Sequence, residues 1–101
     1  MKQVMVTGGV GSVGRAVIER LLTTRPEIER IVIYSRDEHK QGDLAQDLAT
    51  YAGSLDFIIG DVKDRDHLRR SLRGVDTVVH TAAMRLVPHA EDNPEECLRT
   101  N

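Results

Sequence analysis

The chain has 101 residues and a formal net charge of −2, with 40% hydrophobic and 30% charged residues. This composition is typical of one folded domain, and the near-neutral charge with only three aromatic residues (two tyrosines and one phenylalanine) provides neither the basic surface nor the stacking platform of a nucleic-acid-binding protein. No apolar run approaches the roughly 18 residues of a membrane span, and the single cysteine, Cys97, allows no internal disulfide, so we expect a cytoplasmic protein without a membrane segment.

Residues 1–26 predict a strand followed by a helix. The apolar run QVMVTG indicates the strand, and Val13, Val17 and Leu21 then recur at four-residue spacing until Pro26, which a helix interior does not tolerate. The glycine-rich segment between the two is therefore a strand-to-helix turn.

Two further strands and a second helix follow. The runs RIVIYS and SLDFIIGD predict buried strands, because they are nearly continuous apolar segments. Between them, the stretch from about Asp37 to Ala52 carries Leu44 and Leu48 on one face, which predicts a helix over that whole stretch.

The last part of the chain repeats this alternation. The segment DRDHLRRSLRG predicts a third helix, with Asp64 as its N-cap and Gly74 at the C′ position after its end, and DTVVHTAA predicts a fourth strand. A fourth helix is predicted to begin at Asn93, which can cap it ahead of a proline in the first helical position.

Strands that alternate with helices in this way form parallel pairs joined by right-handed crossovers. The sequence therefore predicts an α/β fold with a doubly wound parallel sheet, a Rossmann fold, of which residues 1–101 form one domain in the order βαβαβαβα. Because the last predicted helix starts close to residue 101, we expect the chain to be the N-terminal portion of a longer protein. We also expect a homo-oligomer. If the chain is instead only a truncated structural domain, incomplete cover of the sheet predicts an exposed apolar face, and so self-association or poor stability.

Four glycines lie in the first strand-to-helix turn, at positions 8, 9, 11 and 14. In such a turn Gly8 supplies a tight bend, Gly11 lets the backbone approach a pyrophosphate, and Gly14 lets the helix pack against the strand, while the helix N-terminus offers free N–H groups. The segment fits both Gly9-x-Gly11-x-x-Gly14 and Gly8-x-x-Gly11-x-x-Gly14. It predicts dinucleotide binding, with a purely structural tight turn as the alternative.

The end of the second strand indicates which dinucleotide is bound. A site that prefers NAD carries an acidic residue there for the ribose 2′-hydroxyl, but this chain presents Ser35 and Arg36 first, and Lys40 follows. A hydroxyl and a guanidinium suit a 2′-phosphate, which a carboxylate would repel. We therefore predict NADP in preference to NAD. In the alternative, Asp37 or Glu38 binds the ribose and the cations are solvated.

Asp61 follows the third strand, at the carboxyl end where ligands of open α/β sheets bind, and its carboxylate can accept a hydrogen bond from an exocyclic amine. The alternative is that Asp61 caps the following helix. His80 lies in the apolar run of the fourth strand, which favours a packed, hydrogen-bonded histidine over a catalytic base. No pair of histidines has the spacing of metal ligands, so no metal site is predicted.

Beyond these local signals, the chain resembles the extended short-chain dehydrogenase/reductases and, among them, the UDP-N-acetylglucosamine 4,6-dehydratase group of polysaccharide biosynthesis. The resemblance is carried by the segments VTGGVGSVG, YSRDEHKQ, FIIGDVKDRDHL and GVDTVVHTAAMRLVPHAEDNPEECLRTN. The first segment is shared across the superfamily, whereas the second and fourth are specific to the group.

The resemblance implies a role for residues at each part of the cofactor. It implies that the pyrophosphate is lined by Thr7, Gly8, Gly11, Ser12, Val13 and Gly14, and that the adenosine 2′-phosphate meets Ser35, Arg36 and Lys40. Asp61 and Val62 would lie at the adenine ring, with Ala82 and Ala83 near the ribose and nicotinamide. Arg85 stands where related dehydratases carry lysine, and would face a phosphate of the nucleotide-sugar substrate or else solvent.

The resemblance also implies a redox-neutral dehydration, in which NADP+ takes a hydride from sugar C4, water leaves from C6 and the hydride returns at C6. The Tyr-x-x-x-Lys pair that performs catalysis in that family is absent from this chain, because Tyr34 and Tyr51 are followed four residues later by Glu38 and Leu55. We therefore assign no catalytic residue and do not expect residues 1–101 to turn over alone. A nucleotide-sugar 4-epimerase and a non-catalytic NADP-binding module are the alternatives.

Overall fold

The computed structural model describes residues 1–8 and 11–81, which form four strands, three α-helices and one 3₁₀ helix. The strands are β1 (Gln3–Thr7), β2 (Arg30–Ser35), β3 (Leu55–Ile59) and β4 (Thr77–His80). The α-helices are α1 (Ser12–Thr24), α2 (Glu38–Asp47) and α3 (Arg65–Ser71), and the 3₁₀ helix (Ala49–Ser54) follows α2. The helix predicted from Asn93 lies outside the described residues, as does Cys97.

All four strands pair in parallel, in the order β3-β2-β1-β4. β1 is paired on both sides, and its Met5 lies opposite Val32 of β2 and Val78 of β4. The predicted parallel α/β fold is therefore confirmed. Because the chain runs outward from β1 to β3 and then returns to β4 on the other side of β1, the strand order reverses beside β1. Open α/β sheets bind ligands at the carboxyl ends of their strands near such a reversal.

Helices pack on both faces of the sheet, which explains why the central strands β1 and β2 read as continuous apolar runs and are largely buried. The prediction of a buried third strand is wrong, because β3 lies at the edge of the described sheet and none of its five residues is buried. One face holds α1 and α2, and its buried residues include Val4, Val6, Ile18, Ile31, Ile33 and Leu44. The opposite face holds α3, where Leu68 and Leu72 pack against a cluster of Met5, Val32 and Tyr34. The side chains of neighbouring residues in one strand thus point to opposite faces of the sheet, as the two-residue period of a strand requires.

The prediction of one helix from Asp37 to Ala52 is wrong beyond Asp47. Leu44 and Leu48 are buried as expected, but α2 ends at Asp47 and Leu48 leaves the helical conformation, with φ −108° and ψ 28°. The chain then tightens into the 3₁₀ helix, in which the N–H of Tyr51 bonds the carbonyl of Leu48 at 2.9 Å. This tighter turn packs Tyr51 against the core while Ala52 stays exposed.

The start of α3 agrees with the prediction, and its end differs by one position. Asp64 is the N-cap and accepts a hydrogen bond at 3.1 Å from the N–H of His67. At the other end Leu72 is the C-cap, so Gly74 stands two residues beyond it rather than one. Gly74 has a φ of 80°, the left-handed conformation expected of a glycine that ends a helix.

Candidate functional site

The turn after β1 is built on a left-handed glycine. Gly8 has a φ of 67°, which side chains disfavour, and its N–H donates to the carbonyl of Tyr34 at 3.2 Å. Thr7 is buried at the end of β1, with its hydroxyl 2.5 Å from Nδ1 of His80, and Thr81 donates to the Thr7 carbonyl at 2.9 Å. The turn is thereby tied to β2 on one side and to β4 on the other, and His80 is hydrogen-bonded as predicted.

The N-terminus of α1 comes next, and no side chain of the described residues caps it. Gly11 is the N-cap residue in extended backbone, and the position that a Cβ would take there has open space around it. The first turn of α1 holds no acidic residue. The first-turn N–H groups, from Ser12 to Gly14, and the positive end of the helix dipole are therefore suited to an anion. Gly14 is buried, as close packing of the helix requires, and Val13 is half-buried.

A cavity of about 720 Å³ joins this turn to the end of β2. Its lining comes from the glycine turn, from the end of β2 and from the start of α2: Gly8, Gly11, Ser35, Arg36, Asp37, Glu38 and Lys40. The structure therefore brings two of the six predicted pyrophosphate residues, Gly8 and Gly11, into one space with all three predicted 2′-phosphate residues. Thr7, Ser12, Val13 and Gly14 do not line this cavity. Both cations are exposed, so a ligand in that space can reach them.

Ser35 is oriented by a residue that sequence reasoning missed. The amide of Gln41 donates to Ser35 Oγ at 2.9 Å and to the carbonyl of Ile58 in β3 at 2.9 Å, and Gln41 itself is buried. Because an N–H already occupies the Ser35 oxygen, the proton of that hydroxyl remains free to be donated to a ligand. The sequence feature that could have indicated this role is the position of Gln41, a polar residue three positions before Leu44 on the apolar face of the predicted helix.

The two acidic residues that offered an alternative for the ribose lie in the same cavity. Asp37 is the N-cap of α2, and its Oδ1 accepts a hydrogen bond at 2.9 Å from the N–H of Lys40. This cap gives Asp37 a structural role that its position in the sequence did not reveal. Glu38 follows it in the first turn of α2. The preference for NADP over NAD therefore stays a prediction.

A second cavity, of about 270 Å³, lies at the carboxyl ends of β2 and β3. It is lined by Gly8, Tyr34, Ser35, Arg36, Gly60, Asp61, Val62, Lys63 and His80. The two residues predicted to meet adenine, Asp61 and Val62, thus lie in it together. Val62 is 43% exposed, which leaves an apolar side chain available for contact with a flat ring.

Asp61 does not cap α3, so that alternative is wrong: the cap is Asp64. Oδ1 of Asp61 instead accepts a hydrogen bond at 2.9 Å from the N–H of Lys63, within the turn between β3 and α3. Its other oxygen, Oδ2, lies 3.6 Å from Nη1 of Arg36, so an ion pair connects the ends of β2 and β3.

Tyr34 supports this second cavity from inside the protein, and sequence reasoning missed it. Its hydroxyl donates to the carbonyl of Asp61 at 3.0 Å, and its ring centroid lies 5.4 Å from that of His67. A Cβ on Gly60 would stand only 2.4 Å from Cζ of the tyrosine. Burial raises the pKa of the Tyr34 hydroxyl, and the carboxylates of Asp64 and Asp61 raise it further, so the group remains a donor at neutral pH.

Three predicted site residues, Ala82, Ala83 and Arg85, lie outside the described residues. Within residues 1–8 and 11–81, no three His, Cys, Asp or Glu side chains come together in a way that would hold a metal ion. No helix in this part of the chain combines the length and apolar character needed to cross a membrane.

Comparison with curated proteins identifies two groups of relatives. A UDP-N-acetylglucosamine 4,6-dehydratase (inverting) from Campylobacter jejuni is 45% identical over 101 residues, and a UDP-glucose 4-epimerase from Rickettsia akari is 43% identical over 102 residues. Each alignment covers 99% of this chain and 29% of the relative, so the chain spans less than a third of the length of these proteins.

Solved structures show the same likeness. Pen from Bacillus thuringiensis matches with a TM-score of 0.75 and 28% identity, over 95% of this chain and 29% of that one. A UDP-glucuronic acid 4-epimerase from Bacillus cereus, solved in complex with NAD, matches with a TM-score of 0.59 and 25% identity, over 77% of this chain and 26% of that one. The family model described as polysaccharide biosynthesis protein matches residues 4–101. The chain therefore belongs to the polysaccharide biosynthesis protein family of extended short-chain dehydrogenase/reductases, as its resemblance predicted.

Proposed function

We propose that this chain forms the half of a nicotinamide-dinucleotide site that binds adenosine and pyrophosphate, in an enzyme that modifies a nucleotide sugar. One observation carries the proposal: a single cavity of about 720 Å³ is bordered by the glycine turn, by the N-terminus of α1, which no side chain in residues 1–8 and 11–81 caps, and by the exposed cations Arg36 and Lys40. A purely structural turn would not need open space beside Gly11 or an anion-binding helix end pointing into a cavity.

The residues fit each part of the cofactor. The pyrophosphate would meet backbone N–H groups and the dipole of α1, along the segment formed by Thr7, Gly8, Gly11, Ser12, Val13 and Gly14. The adenine would enter the smaller cavity, where the Asp61 carboxylate can accept from its exocyclic amine and Val62 can cover its face. When bound, a nicotinamide dinucleotide supplies reversible acceptance of a hydride.

The preference for NADP rests on the charges at the end of β2. Arg36 and Lys40 line the larger cavity and can neutralise a 2′-phosphate, and the free proton of Ser35 can be donated to it. The structure of the related UDP-glucuronic acid 4-epimerase in complex with NAD supports a nicotinamide cofactor in general. NADP is the more specific proposal and is tested by titration of both cofactors.

For the reaction we propose 4,6-dehydration of a UDP-N-acetylglucosamine-type substrate, as a step of polysaccharide biosynthesis. The support is the 45% identity to the Campylobacter jejuni dehydratase, although the Rickettsia akari 4-epimerase at 43% makes epimerisation a second candidate. In either enzyme Ala82 and Ala83 would lie beside the ribose and nicotinamide, and Arg85 would face a phosphate of the substrate.

Mass spectrometry of the sugar nucleotide separates these reactions. The assay uses the longer protein of which we expect residues 1–101 to be the N-terminal portion, called the intact protein below. It is incubated with UDP-N-acetylglucosamine and NADP+, and in parallel with UDP-glucose. A dehydratase yields a product lighter by one water, whereas a 4-epimerase yields an isomer of unchanged mass that chromatography resolves. Unchanged substrate in both incubations, from a protein that binds the cofactor, would contradict the enzymatic proposal and favour a non-catalytic binding module.

Assembly and location complete the proposal. We propose a homo-oligomer that works in the cytoplasm, where sugar nucleotides are available as substrates. Multi-angle light scattering of the intact protein tests the assembly directly, and a monomer at micromolar concentration would contradict it. Cell fractionation tests the location.

A further inference from the structure

The Arg36 side chain lies between the two cavities of the site. Together with Gly8 and Ser35 it lines both the larger cavity, which holds the glycine turn, and the smaller one, which holds Asp61. Its side chain is 77% exposed, so only a few contacts restrain it. One of these is the ion pair between Nη1 and Oδ2 of Asp61, at 3.6 Å. Arg36 can therefore face either toward Asp61 or toward a ligand in the larger cavity.

Asp61 is the better-restrained partner of this pair. Its Oδ1 accepts a hydrogen bond from Lys63 N–H at 2.9 Å, and its carbonyl accepts one from Tyr34 at 3.0 Å. Because the Tyr34 side chain is fully buried, its hydrogen bond restrains the turn between β3 and α3 from the protein interior. The Asp61 side chain is 37% exposed, about half the value for Arg36. A carboxylate held in place beside a mobile guanidinium determines where that guanidinium rests.

We propose that Asp61 is a specificity-determining residue, which limits the preference for NADP by holding Arg36 away from the 2′-phosphate position. A 2′-phosphate must compete with the Asp61 carboxylate for the guanidinium, whereas a ribose with a free 2′-hydroxyl need not. The pair therefore lowers affinity for NADP+ and leaves affinity for NAD+ nearly unchanged. This inference rests on the proposed function, because it concerns the same dinucleotide site.

The ratio of the dissociation constants for NAD+ and NADP+ isolates this effect. Any contact between Asp61 and adenine is common to both cofactors and cancels in the ratio. Asp61→Asn keeps the size of the side chain, and its amide oxygen can still accept from Lys63. We expect the substitution to raise the ratio about two- to fivefold, the range that an exposed ion pair supports.

A double-mutant cycle assigns the effect to Arg36. Calorimetry of the intact protein gives both dissociation constants for the wild type, Asp61→Asn, Arg36→Ala and the double variant. If Asp61 acts through Arg36, then Asp61→Asn leaves the ratio unchanged in the Arg36→Ala background. Asp43→Asn is the matched control, because it also removes one exposed negative charge but lies outside both cavities.

Each outcome is decisive for the pair. An increased ratio in Asp61→Asn that disappears without Arg36 supports the inference. An unchanged ratio, or an equal increase in the Arg36→Ala background or in Asp43→Asn, overturns it and leaves the dinucleotide site intact. If the folded wild-type protein binds neither cofactor, the proposed function fails and this inference fails with it, so the two failures are distinguishable.

Discussion

Replacing Gly60 by alanine tests the support beneath the Asp61 turn. A Cβ at this position would stand 2.4 Å from Cζ and 2.5 Å from the hydroxyl oxygen of Tyr34, whereas ordinary contacts begin at 3.4 Å. The ring would have to move by about 1 Å, but it is fully buried and hydrogen-bonded to Asp61. Overpacking of a rigid core costs about 1–3 kcal/mol. Loss of the hydrogen bond adds about 0.5–1.5 kcal/mol.

We therefore expect Gly60→Ala to lower the free energy of unfolding by about 2–4 kcal/mol in urea denaturation of the intact protein. Gly42→Ala is the matched control: its Cβ meets no atom within 4 Å, and alanine within α2 should stabilise by about 0.5–1 kcal/mol. Adding Tyr34→Leu to Gly60→Ala should cost less than the sum of the two single changes, because the smaller side chain removes the clash. A Gly60→Ala variant within about 0.5 kcal/mol of the wild type would refute this reasoning.

Three further changes test other contacts. Asp76 accepts hydrogen bonds from two backbone N–H groups at the start of β1, and these lower the pKa of its carboxyl to about 2. Its contribution to the free energy of unfolding should therefore be fully present above pH 3.8 and lost as the pH falls through about 2. Asp76→Asn should lower the Tm at neutral pH and flatten this part of the acid titration; identical curves would contradict the assignment. Gln41→Ala should destabilise by about 1–3 kcal/mol, because it removes a buried side chain together with its hydrogen bonds to Ser35 Oγ and to the Ile58 carbonyl. Gln46→Ala, at an exposed position on the same helix, should not destabilise in the same urea denaturation. Gly8→Ala and Gly74→Ala should each lower the free energy of unfolding by about 1–2 kcal/mol, because both glycines have left-handed backbone. Only Gly8→Ala should also weaken dinucleotide binding in calorimetry. Equal affinities for the two variants would contradict a ligand at the glycine turn.

The fold could be predicted because its determinants are local. Apolar runs such as RIVIYS mark strands buried on both faces, and the helical spacing between them requires parallel crossovers. The same logic placed the glycine turn, Arg36 and Asp61 at one edge of the sheet, because the carboxyl ends of parallel strands share an edge. The end of α2 was not predictable in this way. Leu48 continues the apolar face of the helix, so the apolar spacing gives no sign that its backbone leaves the helical conformation ahead of the 3₁₀ helix.

Within the site, contacts between distant residues escaped prediction. Tyr34 and Gly60 are 26 residues apart, and no local pattern indicates that the ring of one fills the space left by the other. The Arg36–Asp61 pair likewise depends on side-chain directions at the ends of two strands. Sequence spacing identified both charges as ligand-binding candidates, but it could not indicate that they also contact one another.

The most direct test of the dinucleotide site is calorimetric titration of the intact protein with NADP+ and NAD+, after removal of any nucleotide that copurifies. We predict that NADP+ binds more tightly, and that Arg36→Ala removes most of this difference while Arg20→Ala, which removes an exposed arginine outside both cavities, does not. Binding of neither cofactor by the folded protein would contradict the site itself. Equal loss of NADP+ affinity in both arginine variants would contradict the role of Arg36.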